Sequence, residues 1–237
     1  MNIKLLILSV LVLFSFSFAQ PPYLLVVDAS GSMDDTLPPD YNQTKMEAAK
    51  IAAKDFVDQT NAEIGLIVFE DCDSAGDVQT GNIKLVQDFT TDKSILKTKI
   101  DALQATSDTA IADALKEARG YLQTSRGRGT VILITDGEET CDGDPALEAG
   151  EIYNKNIGIV HVIGYLIGDE AEQKAKEIAQ AGGGKYYPVN NTADLERALG
   201  SITQESPSFS CCPGAALLIL VPFVVLLKQN QKLKGHN

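Results

Sequence analysis

Between residues 20 and 206, short apolar runs alternate with longer stretches in which apolar side chains recur every three or four positions. The first run, "YLLVVD" (Tyr23–Asp28), reads as a strand that ends in an acid. "TKMEAAKIAAKDFVDQ" (Thr44–Gln59) places Met46, Ala49, Ala53, Phe56 and Val57 on one helical face. "AEIGLIVFED" and "NIKLVQDF" predict two more strands, and the link between them predicts a hairpin, hence an antiparallel pair. "KSILKTKIDAL" and "AIADALKEARGYLQ" predict helices, and "GTVILITDG" a strand that is apolar on both faces. The remainder repeats the alternation: a helix in "PALEAGEIYNKN", a strand in "IGIVHVIGYLIG", a helix in "EAEQKAKEIAQA" stopped by Gly182–Gly184, a short strand in "KYYPV", and a last helix in "ADLERALGSITQE".

Strands alternating with helices predict an α/β fold: a doubly wound, mostly parallel six-stranded sheet with helices on both faces and one antiparallel edge strand. In such sheets ligands bind beyond the carboxyl ends of the strands, where the strand order reverses. "VVDASGS" (Val26–Ser32) lies just past the end of the first strand.

The two ends of the chain break the pattern. Residues 1–19, "MNIKLLILSVLVLFSFSFA", carry one lysine, an apolar run and small residues before Ala19. This predicts a secretory signal peptide cleaved after Ala19. The folded domain is then expected over 20–206, with a linker containing the Cys211–Cys212 pair over 207–213. Residues 214–237 are expected to be a hydrophobic anchor or sorting segment with a basic tail. That order fits either a single-pass membrane anchor that is retained or a surface-sorting signal that is processed. Both put the domain outside the cytoplasm, at the cell surface or in the envelope. Export permits disulfides.

Charge narrows the partners. The chain has 20 basic and 32 acidic residues; Lys4, Lys228, Lys232 and Lys234 lie in the terminal segments, whereas every acid lies between them. Such an acidic domain repels phosphate backbones, which argues against nucleic acid.

Asp28, Ser30 and Ser32 stand at two-residue spacing, which sends their side chains the same way, and Gly31 allows a tight turn. Carboxylate and hydroxyl oxygens are hard donors suited to Mg²⁺, Mn²⁺ or Ca²⁺. Three donors do not fill an octahedron. Asp136, at the end of "VILITDG", and Thr109, where a loop enters a helix in "SDTAIADAL", are the candidates to supply more.

"DASGS", the threonine of "TAIADAL" and the aspartate of "ITDG" together resemble the metal-ion-dependent adhesion site of von Willebrand factor type A domains, to which integrin inserted domains also belong. The resemblance covers roughly residues 22 to 205, and "AGGGKYYPVNNTADLERAL" and "DGEETCDGDP" resemble a bacterial branch of the family. It implies a Rossmann-like fold and direct metal ligation by Ser30 and Ser32. Thr109 is implied to ligate directly or through water, and Asp28 and Asp136 to act mainly through water and hydrogen bonds. One coordination position is left for an Asp or Glu carboxylate of a protein partner. The family's strand order would put Cys72 and Cys141 on the same face as the site, where intervening loop residues could let them form a disulfide. Asp34 and Asp35 stand one residue nearer the serines than the paired acids that hold a second ion in integrin β-chains, and read as a solvated loop. Asp71, Asp73 and Asp77 read as an acidic surface loop rather than a Ca²⁺ site. The expectation is therefore a binding module, not an enzyme. The alternatives are a metal-dependent hydrolase on the same scaffold, or a subunit of an envelope assembly or secretion complex.

The residues offer little to catalysis. The only histidines are His161, inside an apolar strand, and His236 in the tail. No G-x-S-x-G elbow is present, residue 30 is not the second acid of a phosphoaspartyl enzyme, and no cluster of His and Cys suggests zinc.

Overall fold

The computed structural model describes residues 20–37, 42–70, 72, 83–106 and 108–204. Six strands form one sheet: β1 (Tyr23–Asp28), β2 (Ile64–Phe69), β3 (Ile83–Thr90), β4 (Gly129–Thr135), β5 (Gly158–Tyr165) and β6 (Gly183–Val189). Their order is β3-β2-β1-β4-β5-β6. Every neighbouring pair is parallel except β2 with β3, which runs antiparallel along one edge. The helices are α1 (Lys45–Gln59), α2 (Lys93–Asp101), α3 (Ile111–Ser125), α4 (Pro145–Asn154), α5 (Asp169–Ala181) and α6 (Thr192–Gln204). A single 3₁₀ turn covers Gly31–Asp34.

β1 is buried along its whole length because it serves two cores. Tyr23, Leu25 and Val27 pack with α1, α2 and α6, whereas Leu24 and Val26 pack with α3, α4 and α5. The period of two along a strand splits one apolar run between both faces. Helix starts are set by local chemistry. Thr44 and Glu47 form a reciprocal capping box at α1, Asp92 accepts from the amides of Ser94 and Ile95 at α2, and Asp144 accepts from Leu147 N ahead of Pro145 at α4.

The helix α5 ends at Ala181, but Gly183 and Gly184 open β6 rather than only stopping the helix. A Cβ on Gly184 would sit 2.2 Å from the Val160 carbonyl oxygen, so the glycine is required by the close approach of β5 and β6. The antiparallel edge pair carries register shifts at Leu66, and its link spans 70–82. His161 is buried in β5, where its Nδ1 accepts from Lys185 N at 3.2 Å, as a satisfied strand histidine should.

The expected leader, the Cys211–Cys212 pair, the C-terminal apolar segment and Asp71, Asp73 and Asp77 lie outside the described residues. Among the described residues, no helix is long and apolar enough to cross a membrane.

Topology locates the ligand edge. From β1 the chain crosses to β2 on one side, and after β3 it returns to β4 on the other. The loops that leave the carboxyl ends of β1 and β4 therefore diverge from adjacent points, which opens a crevice between them.

Phe56 of α1 carries much of this packing: it is fully buried and meets the Tyr23 ring edge-on, with centroids 5.2 Å apart. Phe56→Ala is expected to cost about 3–5 kcal/mol of unfolding free energy, measured by urea denaturation.

Candidate metal centre

β1 delivers Asp28 to the crevice fully buried. Its Oδ1 accepts from the Ser30 backbone N–H at 2.8 Å, and its Oδ2 accepts from the Thr135 hydroxyl at 2.6 Å. The carboxylate thus turns the β1 loop and ties it to the end of β4. Met33, wholly buried in the 3₁₀ turn, pins the loop from beneath. Ser30 is buried, whereas Ser32 is exposed at the rim. Their hydroxyl oxygens lie 3.1 Å apart, and Ser32 Oγ donates to Asp136 Oδ1 at 2.7 Å.

The other oxygen of Asp136 is also engaged. Lys45 Nζ, at the first turn of α1, donates to Asp136 Oδ2 at 2.7 Å and lies 3.5 Å from Asp35 Oδ2. Asp28, Ser30, Ser32 and Asp136 are therefore brought into one connected set. Thr109 reaches the neighbourhood from a third loop. It is buried, and its Oγ1 lies 3.9 Å from where a Cβ on Gly137 would stand, beside Asp136 rather than in hydrogen bond with it.

That third loop is sewn down on both sides. Thr106 N donates to Ala29 O at 2.7 Å, and Asp108 N to Glu70 O at 3.1 Å. Thr109 N donates to Thr140 Oγ1, and Thr140 N to Thr109 O. Glu139 accepts from Ala112 N at the start of α3 and from Cys141 N. Cys141 is joined to Cys72 by a disulfide with Cα atoms 5.0 Å apart, which links the loop after β2 to the loop after β4. Beside Gly137 a cleft of about 450 Å³ opens between α3 and α5, with Ile111, Ala175 and Ile178 at its floor and Glu138, Asp142 and Asp144 on its rim.

Burial is the largest influence on Asp28. It pushes the carboxyl up to about 6, against the lowering effect of the hydrogen bonds from Thr135 and Ser30. Among the described residues, no three His, Cys, Asp or Glu side chains cluster as a metal site. The connected residues Asp28, Ser30, Ser32 and Asp136 offer two carboxylates and two hydroxyls, with the Thr109 hydroxyl near Gly137: hard oxygens of low formal charge.

Sequence reasoning did not single out Thr135, Thr140 or Lys45, and it read Glu139 only as one of the loop acids Glu138, Glu139, Asp142 and Asp144 that could tune selectivity for a basic partner. Thr135 had a signal: it is a hydroxyl ending an otherwise apolar strand, next to an acid. Lys45 had none, since its partner is 91 residues away.

The von Willebrand factor type A domain family matches residues 23–139. Among curated proteins, the uncharacterized YwmC of Bacillus subtilis is 32% identical over 191 residues, which cover 77% of this chain and 81% of YwmC. The uncharacterized YwmD of the same organism is 37% identical over 108 residues, 44% of this chain; the chain spans about half of YwmD, 48% of its length. Solved structures with the same fold include BatB from Bacteroides thetaiotaomicron (23% identity, TM-score 0.61, 78% of this chain and 98% of that one). The von Willebrand factor domain of the type V pili tip protein Mfa5 from Porphyromonas gingivalis aligns at 16% identity with TM-score 0.63, over 82% of this chain and 98% of that one. Proximal thread matrix protein 1 of the mussel byssus, with a zinc-occupied adhesion-site motif, aligns at 20% identity with TM-score 0.60, over 78% of this chain and 45% of that one. At these identities the structures establish shared fold only.

Two outcomes follow from the geometry. Between pH 4 and 6 the folded chain keeps a proton on Asp28 that the unfolded chain has released. This residue's contribution to stability therefore falls as pH rises toward 6 and beyond. In EDTA, Asp28→Asn should gain stability relative to wild type by up to about 3 kcal/mol between pH 4 and 7.5, read by urea denaturation. Replacing both Cys72 and Cys141 by alanine should cost about 2–4 kcal/mol at fixed pH, because the bridge closes a long loop in the unfolded chain.

Proposed function

The chain belongs to the von Willebrand factor type A domain family, and on that premise we propose that it is an exported, divalent-metal-dependent protein-binding module held at the cell surface or envelope. The observation that carries this reading is the contact chain Ser30–Ser32–Asp136, which joins two loops 104 residues apart around oxygen donors only. Ser30, Ser32 and Thr109 would hold Mg²⁺, or Mn²⁺ or Ca²⁺, while Asp28 and Asp136 orient the hydroxyls. When bound, the ion supplies a Lewis-acidic position for an Asp or Glu carboxylate of the partner.

The chain's own residues account for the rest of the reading. Asp28 has both oxygens committed, to Ser30 N and Thr135 Oγ1, so its role is to shape the serine loop rather than to react. Asp136 accepts a hydrogen bond from the Ser32 hydroxyl, which fixes the orientation of that hydroxyl at the crevice. With only Asp28 and Asp136 among the five proposed site residues carrying a carboxylate, much of a divalent charge would remain uncompensated, and that favours an acidic ligand from outside. Lys174 pairs with Glu138 on the rim of the adjoining cleft, and the acids Asp142 and Asp144 there favour a partner that carries a basic or uncharged side chain beside its carboxylate. We read the chain as a binder rather than an enzyme, a reading supported by the fold it shares with pilus proteins. The fold shared with a pilus tip protein supports a surface setting. The C-terminal segment is proposed to hold it there, as a retained anchor or through a sorting step.

The full mature chain should bind Mg²⁺ or Mn²⁺ in calorimetry and capture a protein from cell-surface extract, with EDTA abolishing capture. Asp136→Ala should lower metal affinity by about 10–100-fold, as for other residues that orient metal ligands, and should abolish capture while the variant stays folded. A folded Asp136→Ala variant that captures the same proteins contradicts the reading.

A further inference from the structure

Lys45 is the one cation hydrogen-bonded to the candidate centre among the described residues, and neither the sequence pattern nor the proposed binding role requires it. Its backbone is fixed at the crevice. Thr44 caps α1 immediately before it, and Lys45 N donates to Asp35 O at 3.0 Å. A bridge between Thr36 and Thr44 closes the same small loop. The side chain is 12% exposed and reaches Asp136, whose side chain is fully buried. Asp136 thus divides its oxygens, Oδ1 to Ser32 and Oδ2 to the Lys45 ammonium. Asp35, the second carboxylate within reach of Nζ, is 68% exposed.

A buried carboxylate needs a compensating charge. Lys45 supplies one from within the chain, on the carboxylate that orients Ser32, a hydroxyl the metal reading assigns to a divalent ion. Two cations held close to one carboxylate repel each other strongly where water is scarce. The lysine stem is flexible, and its ammonium is a compact charge that hydrates well. It can therefore leave Asp136 for Asp35 without any movement of α1.

Building on the proposed metal-binding role, we propose that Lys45 is a tethered competitor for the divalent ion. Its ammonium neutralises Asp136, and the ion binds as the ammonium shifts to Asp35. Lys45 then sets the metal concentration at which the site becomes competent to bind a partner. It also keeps the rim stable when divalent ions are scarce. Asp35 has a role in this exchange as the second seat of the ammonium, a role that the sequence assigned only to a solvated loop.

The test uses the full mature chain, Mn²⁺ as the probe and two readouts. Lys45→Met should bind Mn²⁺ about tenfold more tightly than wild type in calorimetry, and in EDTA it should unfold at lower urea. Asp35→Asn should weaken Mn²⁺ binding severalfold in the wild-type background and much less in the Lys45→Met background, because its effect runs through the lysine. Mn²⁺ bound by Lys45→Met but not by wild type would also support the proposal. Unchanged or weaker Mn²⁺ affinity in Lys45→Met overturns it, as does unchanged stability of that variant in EDTA. If neither protein binds Mn²⁺ while Lys45→Met is destabilised in EDTA, the ion pair is real but there is no ion to compete with. That result overturns the competitor role and locates the failure in the metal reading itself.

Discussion

The rim of this domain depends on one buried carboxylate. β1 is the pivot of the sheet, covered on both faces, so the acid at its end cannot turn to bulk water. Asp28 is satisfied instead by two neutral donors, the Ser30 amide and the Thr135 hydroxyl. The first bends the chain into the serine loop; the second joins that loop to the strand on the other side of the switch point. Neutral donors only partly offset the burial of a charge, and the carboxyl is accordingly pushed up to about 6.

Asp136 solves the same problem differently. Its side chain is equally buried, yet it pairs with an ammonium and with the Ser32 hydroxyl. The two acids thereby divide the work of the crevice: Asp28 faces inward and shapes the backbone, whereas Asp136 faces the rim and orients the exposed serine. In the proposed metal-binding role, the hydroxyls of Ser30, Ser32 and Thr109 would keep the donor set hard but poor in charge, a composition that suits an ion shared with a partner's carboxylate.

Distance along the chain is overcome by a relay of short contacts. Ala29 accepts from Thr106, Glu70 from Asp108, and Thr109 and Thr140 exchange hydrogen bonds. Glu139 connects the start of α3 to Cys141, and the disulfide carries the connection on to Cys72. The loops after β1, β2 and β4, with the loop leading into α3, therefore form one braced frame. Thr109 is therefore positioned by hydrogen bonds with Thr140, outside its own loop.

The sequence by itself determined the fold class and the candidate donors. Apolar runs such as Tyr23–Asp28 and Gly129–Thr135 can be buried only between two layers of helices, and alternation with amphipathic helices leaves a parallel, doubly wound sheet as the way to do it. The spacing of Asp28, Ser30 and Ser32 is a local property, readable because side-chain direction repeats over two residues in extended chain. Glycines at residues 183 and 184 could be read only as a helix stop, since the approach of Val160 that demands a missing side chain at Gly184 is a tertiary fact. Nothing in the local pattern marks Lys45 or Thr135 as a partner of a distant acid. Only the packed structure decided that both touch the buried acids, because these contacts span 91 and 107 residues. Local patterning records what each segment must bury; which charges meet once it is buried depends on how strands that are distant in sequence lie side by side.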